Sequence, residues 1–167
     1  MEEIVNKVKE SGLISIDLAD YDPQAEIVTI DLSSQLWQGL VLKEKDFRQW
    51  IKENDWTQYA GKVVLITCSR DAIIPAWAYM LVGSVLKDIV LFYANTSKDE
   101  ILKQLIIREI EKTEVAKIKD ERVIVKGCSK IPFPDFAMLE LTKYLLPHVK
   151  SLMFGEPCST VPIYKKK

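Results

Sequence analysis

The sequence predicts an α/β fold: an open, mostly parallel sheet of about four strands with helices on its faces, preceded by an N-terminal β-hairpin and a helix. Three observations predict it. From Lys62 onward, short apolar runs recur, "KVVLIT", "DIVLFYA", "RVIVKG" and "VKSLMFG", of the kind buried on both faces of a parallel sheet. Longer segments with helical spacing separate them, which is the grammar of repeated strand–helix–strand units. Ahead of them, "LISIDLADY" and "EIVTIDL" alternate apolar and polar residues, as half-buried strands do.

The elements follow in order. Asp22-Pro23 lies between the two alternating segments and is turn chemistry, so those segments are expected to pair as an antiparallel hairpin. In "KEKDFRQWIKEN", Phe47, Trp50 and Ile51 fall on one helical face. After "DWTQYAGK", the body runs strand "KVVLIT", helix "IPAWAYMLVGSVLK", strand "DIVLFYA", helix "KDEILKQLIIREIEKTEVA", strand "RVIVKG", helix "PDFAMLELTKYLL" and strand "VKSLMFG". Right-handed crossovers are expected between the strands. No repeat architecture and no low-complexity segment is expected. The 167 residues read as one α/β domain, with residues 1–60 as a hairpin and helix packed on a body spanning residues 61–167.

Composition narrows the function. Lys+Arg 23 against Asp+Glu 24 gives a net charge of −1, without the basic excess of a nucleic-acid binder. The run Lys165-Lys166-Lys167 reads as a solubilising end. "MEEIVNKVKESG" lacks the zones of a signal peptide, and no apolar run approaches the roughly 18 residues of a membrane helix. A cytoplasmic protein without membrane attachment is therefore expected, in a compartment that keeps thiols reduced. Three cysteines also cannot all pair internally.

Those three cysteines carry the strongest signal. Cys68 follows "KVVLIT", Cys128 follows "RVIVKG", and Cys158 lies just beyond "VKSLMFG". Each falls past the carboxyl end of an expected parallel strand, where open α/β sheets bind ligands and helix N-termini point. Each is followed by serine, and Cys128 and Cys158 continue to x-[Ile/Val]-Pro, while Cys68 reaches Ile74-Pro75 after a longer loop. Pro75 and Pro134 suit the first turn of a following helix. Three thiolates in one crevice repel one another unless a cation joins them. The leading expectation is thus a metal site of Cys68, Cys128 and Cys158 holding Zn2+ or an iron–sulfur cluster, with Asp71 or Glu156 as fourth ligand and Asp135 as a weaker choice. His148, after Pro147 at the start of the last strand, is expected at the opposite end of the sheet and is excluded as a ligand.

Two further readings stand beside it. One is a thiol enzyme using Cys68 as nucleophile, with Arg70 and a helix N-terminus stabilising negative charge; Arg70 and Asp71 also suit a salt bridge or a helix cap. The other is a protein-interaction module whose cysteines only pack. Trp77 and Tyr79 line a pocket or pack on the sheet; the Trp37–Gly39 region and Trp56 suit edge cover, an oligomer contact or packing. Phosphate-binding glycine motifs and G-x-S-x-G are absent from the sequence. Phosphate transfer through a cysteine loop requires an arginine where these cysteines have Ile74, Pro134 and Tyr164.

Together "CSRDAIIPAWAYM", "VKGCSKIPFP" and "KSLMFGEPCSTVPIYKK", with "ESGLISIDL" and "LWQGLVLKEKDFR", resemble a bacterial family, domain of unknown function 2480, over the full length of the chain. The resemblance supplies no activity. Genes of that family often lie beside iron–sulfur cluster assembly genes of the Suf type, which implies iron–sulfur assembly proteins as partners.

Overall fold

Strands β1 (Leu13–Asp17) and β2 (Ile27–Asp31) both end in Ile-Asp, with Leu next. The aspartate at each end turns its carboxylate back on the chain: Asp17 accepts from the Ala19 N–H and Asp31 from the Ser33 N–H, each at 2.9 Å. Short aspartate side chains satisfy the free N–H groups of a helical turn in this way, and each opens one 3-10 turn, Leu18–Tyr21 and Leu32–Gln35. The computed structural model describes residues 12–127 and 130–167. The chain is α/β, and its largest sheet is mixed, mostly parallel and four-stranded.

The expected pairing of the first two strands is corrected. β1 lies parallel to β7 (Arg122–Lys126), and β2 lies parallel to β5 (Val63–Thr67). β5 and β7 are apolar on both faces and need a neighbour on each side; β1 and β2 supply one each. A hairpin followed by a helix does occur early in the chain, built instead from β3 (Leu36–Trp37) and β4 (Val41–Leu42) ahead of α1 (Glu44–Glu53). Its turn needs the left-handed backbone of Gln38 and Gly39.

By contacts the chain divides into two compact units, Gln24–Ile101 and the pair Met1–Pro23 with Leu102–Lys167. The first holds the sheet β2-β5-β6, with β6 at Phe92–Ala94 and the helix α2 (Ala76–Leu86) between β5 and β6. Its core gathers Ile30, Val64, Ile66, Val82 and Leu86 around an aromatic group. Phe47 sits 5.1 Å from Trp50 and 5.6 Å from Trp77, and Trp50 lies 5.1 Å from Trp56, whose Nε1 donates to the Ile51 carbonyl. Trp56 and Trp77 are therefore packing residues.

The second unit holds the sheet β1-β7-β8-β9, with β8 at Ser151–Glu156 and β9 at Ser159–Lys165. The long helical segment is α3 (Lys98–Glu111) followed by the single turn α4 (Val115–Ile118); α5 (Pro134–Leu145) connects β7 to β8. Pro134 is the first residue of α5, the position that loses nothing by lacking an N–H. Leu141, Leu145, Ile106 and Ile110 close over Val123, Val125 and Leu152. The four apolar runs expected in one parallel sheet are thus shared between two. The tail is also not free: β9 returns antiparallel to β8, the Lys166 N–H donates to the Lys150 carbonyl, and Lys166 Nζ reaches Asp120 at 2.9 Å.

Candidate functional site

β5 delivers Cys68 to the carboxyl end of the Gln24–Ile101 sheet. There Thr67, Cys68, Arg70, Ala72, Ile74 and Tyr79, with Asn95 and Thr96 after β6, line an open cleft of about 360 Å³. Crevices past the carboxyl ends of parallel strands are where α/β sheets hold ligands. Cys68 is half-buried and unpaired, and its thiol donates to the Arg70 carbonyl at 3.4 Å. Arg70 has no ion-pair partner among the described residues. Its guanidinium passes close to the hairpin tip, where a Cβ on Gly39 would lie 3.9 Å from Nη1.

The loop is held from the neighbouring strand. Asp31, paired with Thr67 in the β2–β5 register, accepts from the Ser69 N–H at 3.0 Å as well as from Ser33, and the Ser69 hydroxyl bonds Ser33 Oγ at 3.1 Å. The Ser69 hydroxyl and the Ser33 and Ser69 backbone N–H groups hold the Asp31 carboxyl well below the usual carboxylate range, as accumulated donors do. On the other side, Asn95 Nδ2 donates to the Ile66 carbonyl at 2.7 Å. Neither residue was picked out by sequence patterning. Asp31 carried a signal, since "SIDL" and "TIDL" place matching aspartates at two strand ends. Asn95 carried only its position after "DIVLFYA". Tyr79 both packs against the core and lines the cleft.

The other expected ligands fall elsewhere. Cys158 is an exposed free thiol in the turn between β8 and β9, in the unit that does not contain Cys68. Cys128 lies outside the described residues. Glu156 ends β8 with its carboxylate 3.2 Å from Lys126 Nζ. Asp71 is exposed in the Cys68 loop, and Asp135 is exposed in the first turn of α5. His148 precedes β8, at the other end of that strand from Cys158. Among the described residues no group of three His, Cys, Asp or Glu side chains is arranged to hold a metal ion. Two features flank the Cys128 segment. Gly127 lies beneath the Phe154 ring, and Phe133, between two prolines, is left-handed at φ 52°. A bulky residue ahead of proline pays strain for that backbone.

A family model described as "Protein of unknown function (DUF2480)" matches residues 2–166. No curated protein and no solved structure matches the chain. No helix among the described residues is long and apolar enough to cross a membrane.

Proposed function

From a chain that belongs to the DUF2480 family, which is defined without an activity, we propose a function on the cleft itself: Cys68 is a thiol nucleophile for a small anionic carbonyl compound. The observation that carries this reading is the joint lining of one open cleft by Cys68 and Arg70, which has no ion-pair partner among the described residues. Arg70 attracts the ligand's negative group. Thr67, Tyr79, Asn95 and Thr96 supply hydroxyls and an amide beside it. In the step itself the sulfur forms a bond to the carbonyl carbon. The carbon–oxygen π pair moves to oxygen, which takes up the proton the thiol gave to solvent. Asp31 acts as a positioning residue, fixing Ser69 and with it the direction of Cys68.

Glyoxylate tests this directly, because it joins an aldehyde to a carboxylate. In metal-free protein it should protect Cys68 from iodoacetamide at concentrations that leave Cys158 unprotected, and Arg70→Gln should abolish the difference. Equal protection of the two thiols would overturn the reading.

A metal ion or iron–sulfur cluster on Cys68, Cys128 and Cys158, with Asp71 or Glu156 beside them and iron–sulfur assembly proteins as partners, is the second reading. It is favoured by the three Cys-Ser pairs and by the accessibility of Cys68 and Cys158. Its test is zinc, iron and sulfide per chain in anaerobically purified protein without an affinity tag. A content near one metal, lost on serine substitution of the three cysteines, would support it; metal retained without them would remove it.

A further inference from the structure

The Leu102–Lys167 segment carries a second concavity, unrelated to cysteine. In the sheet register Arg122 of β7 stands opposite Ser151 of β8, and Ser151 stands opposite Lys165 of β9. Directly paired residues project from the same face, so these three form one row across three strands. Neighbouring strands are about 4.8 Å apart, which sets Arg122 and Lys165 roughly 10 Å apart with a short serine between them. Two long cationic side chains flanking a small hydroxyl leave a hollow. Met153, two residues along β8, and its partner Pro162 continue the same face as an apolar floor. The resulting cavity of about 370 Å³ is lined by Arg122, Lys150, Ser151, Met153, Pro162, Tyr164 and Lys165. Pro162 fits here because β9 is an edge strand and the β8–β9 register shifts at this point, the setting in which a strand tolerates proline.

The charge in this hollow is unbalanced. Among the described residues no carboxylate lies within ion-pair distance of Arg122, Lys150 or Lys165. The acid alongside, Asp120, is committed to Lys166 at 2.9 Å. That bond and charge, with weaker help from Lys119 and Lys150, hold its carboxyl below the usual range. Three cations around a hydroxyl and an apolar floor match a dianion attached to an apolar body better than a monocarboxylate. We infer that this face binds a small phosphate monoester with an apolar or aromatic body, the phosphate between Arg122, Lys150 and Lys165 and the body on Met153 and Pro162.

The probe is 1-naphthyl phosphate, titrated into the full chain by NMR with 1-naphthoate, 1-naphthol and inorganic phosphate in parallel. The phosphate ester should give saturable shifts at Arg122, Ser151 and Met153, weakening as salt is raised. The three comparison compounds should each bind at least about tenfold more weakly. Arg122→Gln and Lys165→Gln, both at exposed positions, should each weaken the ester about tenfold with an unchanged thermal midpoint. Met153→Ser should weaken the ester but leave inorganic phosphate as it was. No saturable shift at millimolar ester, or binding indifferent to both charge substitutions, would overturn the inference.

Discussion

The two units of the chain share part of their order of elements. Each has an early strand ending in Ile-Asp, an aspartate-capped 3-10 turn opening on Leu, and a central apolar strand parallel to the early one. In each the central strand leads to Cys-Ser, then Ile-Pro, a helix and a third parallel strand. The difference lies in one residue and one side chain. Asp31 pairs with Thr67 and Cys68 follows at once, so Ser69 comes within reach of the aspartate. Asp17 pairs with Lys126, and Gly127 intervenes before Cys128. The third strand then diverges: it is followed by Asn95 beside the Cys68 cleft in one unit, and carries Phe154 over Gly127 in the other. Both central strands are followed in the sequence by Cys-Ser, and past β5 the residues next to Cys68 line an open cleft.

The largest effects should come from the two cores. Phe47→Ala empties the centre of the aromatic group in the Gln24–Ile101 unit, where Phe47 is buried, and should cost about 3–5 kcal/mol in urea unfolding. Leu141→Ala in the other core should cost about 2–5 kcal/mol. A loss under about 1 kcal/mol at either would mean that the core does not sit where the buried clusters put it.

The distinction at Gly127 comes next. A Cβ there would lie 2.8 Å from Phe154 Cζ, so Gly127→Val should cost about 1–3 kcal/mol. Phe154→Ala in the same chain should return part of that loss. If Gly127→Val is neutral alone, the aromatic cover is not a real difference between the units.

Asp31 sharpens the comparison from the open side. Asp31→Ala should cost about 1 kcal/mol through the lost cap and the released Ser69 N–H, whereas Asp31→Asn keeps an acceptor and should cost less. The Asp31 carboxyl titrates lower in the folded chain than its ordinary value, which is about 3.9 when unfolded. The stability it adds is therefore full at neutral pH and is lost as pH falls through the folded value. The stability difference between the parent chain and Asp31→Asn should be flat from pH 8 to about pH 5 and shrink below about pH 4. A difference that grew in acid would have the wrong sign.

Much of this was legible in the sequence, and the boundary of legibility is physical. Local period and end chemistry marked β5, β7 and β8, the helices α1, α2 and α5, the helix-opening Pro134 and the strand-end position of Cys68. Partner choice was not marked, because a parallel pair joins residues far apart in the chain and alternation is the same whichever neighbour a strand takes. β1 and β2 looked like a hairpin for that reason. β9 was missed because Pro162 reads as a breaker, while an edge strand at a register shift accommodates it. The cysteine pattern identified three strand ends without saying which sheet each belonged to.

The most direct test compares two reagents that need the same thiolate and differ only in charge. Iodoacetate and iodoacetamide rates would be measured at Cys68 and at Cys158 in metal-free single-cysteine chains. If Arg70 and Cys68 share one functional cleft, the iodoacetate-to-iodoacetamide ratio at Cys68 should exceed that at Cys158 by about fivefold, and Arg70→Gln should bring the two together. Equal ratios in the parent chain, or a Cys68 ratio untouched by Arg70→Gln, would contradict the assignment of this cleft as an anion-directed thiol site.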